Sequence, residues 1–295
     1  MSREACQRQP VVIAGSSQHG YELLTTGDWL VDCETMIDFH SHLMPGVDDG
    51  AADIDESRSG LAVMREQGIT TIITTPHLSA SLTDKPRELS AYLKQLDKAF
   101  DALATLAAIE FPDLRVERGV ELMLDTPQPA MGDERLHLAG TSFVLMEFPY
   151  MTIPPNSAMA VRQLRERGVI PIVAHPERYS NMSSNVDLIE AWKDAGAYIQ
   201  VNAGSFVGQY GGTAKRLAWS ILERGTADYM CSDYHSRGRC SVQVCATALL
   251  EKGGAAQLRA LTLTNPQRML RNEAPIPVEP LEEVQLGFWK KVFRG

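Results

Sequence analysis

Two imidazoles one residue apart mark the first place where this chain could do chemistry. His40-Ser41-His42 closes a short apolar run, Met36-Ile37-Asp38-Phe39. In an extended strand residues i and i+2 face the same side, so both rings can reach one cation. Such a pair alone also fits two hydrogen-bonded core histidines. Its weight comes from where the other ligand-type residues fall. Asp48-Asp49-Gly50 follows in the next loop, His77 ends Thr75-Pro76-His77, Glu121 closes a third apolar run and Glu147 a fourth. His175 closes the fifth, in Ala174-His175-Pro176-Glu177-Arg178, and Asp233 and His235 follow the last, in Cys231-Ser232-Asp233-Tyr234-His235. Of seven histidines, only His19 and His137 stand away from the carboxyl end of a predicted strand. Any one of these side chains is most simply a solvated or hydrogen-bonded group. Their shared position is what calls for a cause.

Imidazole nitrogens mixed with carboxylate oxygens, without thiolates, suit Mn²⁺, Zn²⁺ or Fe²⁺. The candidate ligands are His40, His42, Asp49, His77, Glu121, Glu147, His175, Asp233 and His235. They exceed what one ion can use, so two or three clustered ions are expected. Clustered divalent ions stabilise both the attacking and the leaving oxygen of an in-line displacement, which points to phosphoryl hydrolysis. Arg178, three residues after His175, has the planar fork that clamps phosphate. An ion pair with Glu177 or Glu147 is its plainer alternative.

The elements that must position these groups are short and regular. Strand-like runs lie at Met36–Phe39, Thr71–Thr74, Leu114–Val120, Phe143–Glu147, Val169–Ala174, Tyr198–Val201 and Asp228–Cys231. Helical patterns are expected over about 55–67, 86–108, 156–167, 186–195, 213–223, 241–252 and 266–271. Several end at a glycine (Gly68, Gly168, Gly196, Gly225), the usual left-handed stop. This alternation predicts an α/β fold with a mostly parallel sheet and outer helices. Seven strands in strict alternation favour a closed barrel, whose active sites form at the carboxyl ends of the strands. No glycine-rich dinucleotide fingerprint or P-loop follows the first strand.

The totals exclude several classes. The chain has 295 residues, enough for one large α/β domain. Lys and Arg number 28 against 37 Asp and Glu, a net charge of −9, which lacks the basic footprint of a nucleic-acid binder. Bound cations would invert that field locally, so a phosphorylated substrate stays compatible. Five cysteines without a C-x-x-C pair read as reduced thiols, and no apolar run spans a bilayer, so a cytoplasmic protein is expected. Residues 1–35 read as an N-terminal extension or cap. Residues 273–295 read as a Pro-rich linker and a basic aromatic tail. In that tail Leu286, Trp289, Val292 and Phe293 share one helical face, with Lys290, Lys291 and Arg294 near the other. It could dock on the protein itself or a neighbouring subunit, or serve as a membrane or partner contact.

Eight stretches carry a family resemblance: MIDFHSHLMPGVDDGA (36–51), GITTIITTPH (68–77), RGVELML (118–124), LMEFP (145–149), VIPIVAHPERY (169–179), YIQVNAG (198–204), SDYH (232–235) and NPQRML (265–270). Together they resemble the polymerase-and-histidinol-phosphatase (PHP) superfamily. Within it the chain is similar to the bacterial manganese-dependent tyrosine-protein phosphatases of capsule and exopolysaccharide loci. The resemblance covers about 36–272 and implies a distorted (β/α)7 barrel with a trinuclear site. It places His40, His42, Glu121 and Asp233 on one ion, Glu121, Glu147 and His175 on a second, and Asp49, His77 and His235 on a third. It implies Mn²⁺, with Fe²⁺, Zn²⁺ or Mg²⁺ as substitutes. Arg178 matches the substrate-phosphate arginine, with Asp233 and His235 beside it in catalysis by a metal-activated hydroxide. The implied substrate is a phosphotyrosine protein, a bacterial tyrosine autokinase controlling polysaccharide synthesis. An oligomer is possible.

Three other readings remain open on the residues alone. Cys231 to Arg237 is a literal C-x5-R, the spacing of cysteine-dependent tyrosine phosphatases, but it carries Asp233 and lacks the glycine of such loops. A small phosphate ester, or amidohydrolase-like chemistry, would keep the metal site and change the substrate. A non-catalytic binding module would keep the fold, although here every expected ligand is retained.

Overall fold

Apolar, β-branched runs become parallel strands, and the amphipathic stretches between them become helices that cover them. A computed structural model describes residues 35–182 and 187–281. In chain order these hold β1 (Met36–Asp38), α1 (Ile54–Glu66), β2 (Ile69–Thr74), β3 (His77–Ser79), α2 (Pro86–Glu110), β4 (Arg115–Arg118), β5 (Glu121–Met123) and β6 (Phe143–Glu147). Next come α3 (Ser157–Glu166), β7 (Ile170–Ala174), α4 (Leu188–Asp194), β8 (Tyr198–Asn202), α5 (Ala203–Phe206), α6 (Gly211–Glu223), β9 (Tyr229–Cys231), α7 (Val242–Glu251), α8 (Ala255–Arg259) and α9 (Asn265–Leu270). Among the described residues no helix is long and apolar enough to cross a membrane.

The result is a mixed α/β fold with two parallel sheets, in the orders β1-β2-β4 and β3-β5-β6-β7-β8-β9. Where seven strands are expected, nine are found among the described residues, because the second and third strands each resume after a break as a further short strand, β3 and β5, beyond the expected runs. The first break falls at Thr75-Pro76, where proline has no N–H to donate. The second falls at Gly119-Val120. Backbone bonds still cross both breaks: Gly119 N donates to Thr74 O at 3.0 Å and Glu121 N to Pro76 O at 3.1 Å. The bends place His77 and Glu121 at the starts of β3 and β5, where they are direct cross-strand partners. One register further, Met123 pairs with Glu147.

At the other edge a lone parallel bridge joins Ser41 to Tyr234. His42 N donates to Tyr234 O and Asp233 N to His40 O, both at 2.8 Å. No single closed sheet is found among the described residues.

Two helices show how sequence fixes the frame. α2 buries Leu93, Leu96, Ala99, Leu103, Leu106 and Ala107, a three-and-four spacing that gives one apolar face. α1 begins directly after the Asp48-Asp49-Gly50 loop, and Asp53 caps it by accepting from Asp55 N at 3.0 Å and Glu56 N at 2.9 Å. Past the ends of α1 and α3, Gly68 and Gly168 take the left-handed backbone their sequence position predicts. The short helices α5 and α8, which periodicity misses, hold only 4 and 5 residues.

Residues 273–281 of the proline-rich segment after α9 have neither helix nor strand, and they lie along the domain. The buried Asn265 donates to Asp228 O and Ile276 O and accepts from Ile276 N. Val278 and Leu281 are buried further on. The extension expected before residue 36, apart from Thr35, and the tail from Leu286 to Gly295 lie outside the described residues.

Asp53→Ala should destabilise the folded chain by about 1 kcal/mol and Asp53→Asn by much less, measured by urea unfolding. An unchanged midpoint for the alanine variant would show that the cap contributes nothing.

Candidate metal centre

The site starts at the ends of β1 and β9. Asp38 is buried and accepts from His40 N at 3.1 Å and Ser232 N at 2.6 Å, joining the two strand ends. Burial raises its carboxyl to about 6, against the lowering effect of those hydrogen bonds. The backbone of His40-Ser41-His42 is thereby locked to that of Ser232-Asp233-Tyr234. Gly50 closes this corner: a Cβ there would lie 2.1 Å from His42 O, so only glycine lets the Asp48-Asp49 loop approach.

All nine ligand-type residues predicted from sequence come together. His40 Nε2 lies 3.2 Å from both Glu121 Oε1 and Asp233 Oδ1. His42 Nε2 lies 3.4 Å from Glu121 Oε2 and 3.5 Å from Asp233 Oδ1. His77 Nδ1 is 3.1 Å from Glu121 Oε2 and 3.5 Å from Glu147 Oε1. His175 Nε2 is 2.9 Å from Glu121 Oε1 and 3.8 Å from Glu147 Oε2. Asp49 Oδ1 lies 3.4 Å from the Nε2 atoms of both His77 and His235. The rings of His42 and His235 stack at 4.0 Å between centroids. Glu121 is thus the hub, facing four imidazoles.

Four overlapping sets have donor atoms within 4.8 Å of one another: His42, Asp49, His77 and His235; His40, Glu121 and His175; His40, His42 and Asp233; His77, Glu121 and Glu147. The shared members are what a multi-ion cluster with bridging ligands requires. The orientation of the rings supports the same reading. His40 Nδ1 is 3.0 Å from Gln200 Oε1, and His42 Nδ1 is 2.7 Å from Asp48 Oδ2. With Nδ1–H donating outward, each Nε2 lone pair points inward. His40 Nε2, His42 Nε2 and Glu121 Oε2 are buried and have no hydrogen-bond partner. Three such orphaned atoms converging on one volume fit cations rather than a hydrogen-bonded core.

The electrostatics agree. Burial disfavours the charged form of every group here, yet Glu121 and Asp233 lift His40, and Asp233, Asp48 and Glu121 lift His42 well above 6.5. His77 rises to about 10 because Glu121 and Glu147 outweigh its burial. Burial would raise Glu121 and Asp233 too, but the surrounding imidazoles hold both well below the usual carboxylate range. His235 goes the other way: burial and the adjacent His42 lower it. The carboxylates demand positive charge, which either protons or metal ions can supply.

Arg178 Nη1 pairs with Asp233 Oδ2 rather than with Glu177 or Glu147, and its guanidinium lies 4.2 Å over the Tyr210 ring. His175 and Asp233 both adopt left-handed backbone, with φ 34° and 52°, a strained state for non-glycine residues that re-aims their side chains.

Sequence reasoning missed the groups that hold the ligands in place. Asn202 Nδ2 donates to Asp233 Oδ2 at 2.8 Å and Gln200 Nε2 to Asn202 Oδ1 at 2.8 Å. Glu177, buried, accepts from Asn202 N at 2.9 Å and Ser205 Oγ at 2.6 Å. Gln200 and Asn202 are alternate residues of β8, so the period-two rule places both on the ligand side once β8 is known to flank the site.

The C-x5-R reading fails on geometry. Cys231 lies inside β9, buried against Phe39 and Tyr229, and burial pushes its thiol far up, so no thiolate is available there.

Residues 36–271 match the family described as capsular polysaccharide synthesis, CpsB/CapC. The tyrosine-protein phosphatase YwqE of Bacillus subtilis is 30% identical over 261 residues, 86% of this chain and 100% of that protein. The tyrosine-protein phosphatase CpsB of Streptococcus pneumoniae is 27% identical over 247 residues, 81% of this chain and 99% of that protein. A solved structure from work on YwqE and CpsB, described there as unique metal-dependent tyrosine phosphatases, superposes with a TM-score of 0.69 at 28% identity, covering 85% of this chain and all of that one.

A pH dependence follows from His77. Its imidazolium, raised to about 10 in the fold against 6.5 as a free side chain, contributes stability that is complete below 6.5 and lost as pH rises through 10. EDTA-stripped protein should therefore lose thermal stability between pH 7 and 10, and added Mn²⁺ should restore it while releasing protons. A stripped protein whose Tm climbs steadily over that range would contradict the assignment.

Proposed function

The chain belongs to the CpsB/CapC capsular polysaccharide synthesis family, and on that premise we infer that it is a metal-dependent protein-tyrosine phosphatase. The observation that carries the reading is the convergence of five histidines and three further carboxylates around Glu121, with a half-buried arginine fork beside it. Its relatives are named tyrosine-protein phosphatases, and the family description ties them to capsular polysaccharide synthesis. A bacterial tyrosine autokinase of the same locus is the protein substrate this suggests. The free, buried Cys231, Cys240 and Cys245 suit a reducing, cytoplasmic setting.

We assign Mn²⁺ as the resident ion: the mixed imidazole and carboxylate donor set accepts it as it does Zn²⁺ or Fe²⁺, and the resemblance to manganese-dependent phosphatases selects it. His40, His42, Glu121 and Asp233 would hold one ion. Glu121, Glu147 and His175 would hold another, and Asp49, His77 and His235 a third. Short spacings to Glu121 support the places of His40, His42 and His175, and those of His77 and His235 to Asp49 support the third set. The Ser41–Tyr234 bridge and the bonds across Pro76 and Gly119 support reading the two sheets as one distorted seven-stranded barrel.

When bound, the ions supply Lewis acidity and activation of the attacking water. The chain's own side chains do the rest. Arg178 clamps phosphoryl oxygens in its fork, held flat by the Tyr210 ring. Asp233 accepts from Asn202 and Arg178, so its second oxygen stays aimed at His40 and His42. His235 is kept neutral at physiological pH by burial and His42, and its Nδ1–H donates to Asp233 O at 3.0 Å, leaving Nε2 as a lone-pair donor.

With Mn²⁺, p-nitrophenyl phosphate and phosphotyrosyl peptides should be hydrolysed. His42→Ala or Asp233→Ala should lower kcat at least about 100-fold, and Arg178→Ala should lower kcat/KM about 10- to 100-fold through lost charged hydrogen bonds. EDTA should abolish turnover and Cys231→Ser should leave it intact. Full activity in both ligand variants would overturn the reading.

A further inference from the structure

The arginine that closes the C-x5-R stretch has other partners than its spacing suggests. Arg237 Nη2 donates to Gly50 O at 3.1 Å, and its Nε donates to Glu56 Oε2 at 3.1 Å. Gly50 follows Asp49 directly, and Arg237 stands two residues after His235. One side chain therefore ties together the two loops that carry Asp49 and His235. Glu56 completes the tie, because the same Oε2 accepts from Ala52 N at 2.9 Å. The Asp49 loop is thus held at Gly50 and again at Ala52.

α1 is shaped to receive this arrangement. Glu56 and Gly60 are four residues apart and share one face of the helix. A Cβ on Gly60 would lie 2.6 Å from Leu43 Cδ2 and 3.1 Å from Ser236 Oγ, so the helix leaves room for the residue between His235 and Arg237. Ser236 takes left-handed backbone, φ 61°, which a non-glycine residue keeps only where its surroundings hold it.

The two ends of the metal centre differ in exposure. The side chains of His40, Glu121 and His175 are at most 2% exposed. Those of Asp49, His77 and His235 are 68%, 38% and 28% exposed. Core packing and the bonds through Gln200 and Asn202 fix the buried set. The outer set depends on an exposed loop, so whatever holds that loop decides how much freedom Asp49 loses when it takes an ion.

We propose that Arg237, seated on Glu56, is a positioning residue for the outermost ion. It fixes the separation of the Asp49 and His235 loops, sets the affinity of the Asp49, His77 and His235 set, and leaves the buried set unaffected. The inference rests on the metal reading of that set. It adds an exchangeable outer position, filled only where Mn²⁺ is sufficient. An exposed ion pair contributes little by itself. Arg237 also bonds a backbone carbonyl, and contacts behind metal ligands change affinity by roughly 10- to 100-fold. Its exposure places the effect near the lower figure.

The test is equilibrium dialysis of the EDTA-stripped full chain against stepped concentrations of Mn²⁺, with bound metal counted by elemental analysis. Turnover of p-nitrophenyl phosphate is followed over the same steps. His235→Ala identifies the outer ion as the one it removes from the wild-type binding curve. Arg237→Gln should weaken that ion alone by about tenfold, and Glu56→Gln should weaken it in the same direction by less. Both variants should regain wild-type kcat at saturating Mn²⁺, which a merely structural defect would not do. An Arg237→Gln curve that superposes on the wild type, a loss of affinity spread over every ion, or a kcat that stays low at saturating Mn²⁺ would overturn the proposal. A wild type that binds no Mn²⁺ at any step would instead overturn the metal reading beneath it.

Discussion

The fold depends on a cluster of negative charge that cannot stand alone. Glu121 and Asp233 are almost fully buried, and an unpaired carboxylate in such a place costs several kcal/mol even after relaxation. What makes them tolerable is positive charge brought by five histidines from four different strand ends. Imidazole can provide that charge as a proton carrier or hand the role to a metal ion by keeping its lone pair. The inward-facing Nε2 atoms of His40 and His42, which have no hydrogen-bond partner, fit the second arrangement.

A second layer holds this first one in place. Asp38 ties β1 to the Ser232 turn, Asp48 fixes the ring of His42, and Gln200 fixes the ring of His40. Gln200, Asn202 and Glu177 form a buried polar chain that ends on Asp233. Each link removes a rotational freedom that a flexible ligand would otherwise lose on binding a cation. The strained backbone at His175 and Asp233 is held by the same surroundings: Asp233 N is bonded to His40 O, and the turn after His175 is closed by Arg178 N donating to His175 O.

Much of this was legible in the sequence, for a physical reason. Parallel strands present their carboxyl ends on one side, so ligand-type residues at the ends of apolar runs fall together without any knowledge of contacts. His40, His42, Glu121, Glu147, His175 and Asp233 were all visible that way. The breaks at Pro76 and Gly119 were not, because a bend that keeps its neighbours' hydrogen bonds leaves the apolar pattern almost unchanged. Gln200 and Asn202 were passed over because neutral amides in a strand carry no chemical signature of their own. Tyr210 lies 32 positions beyond Arg178, and only the folded α5–α6 corner brings its ring under the guanidinium. Cys231 to Arg237 shows the reverse case, a matching spacing whose cysteine is packed inside a strand.

Anomalous diffraction from crystals grown with Mn²⁺ tests the central claim most directly. Two or three peaks should appear around Glu121, each within coordination distance of an imidazole nitrogen and a carboxylate oxygen, and Glu121→Gln should remove at least one of them. A crystal saturated with Mn²⁺ that shows no density at Glu121, with His40, His42 and His77 hydrogen-bonded to the carboxylates instead, would contradict the account.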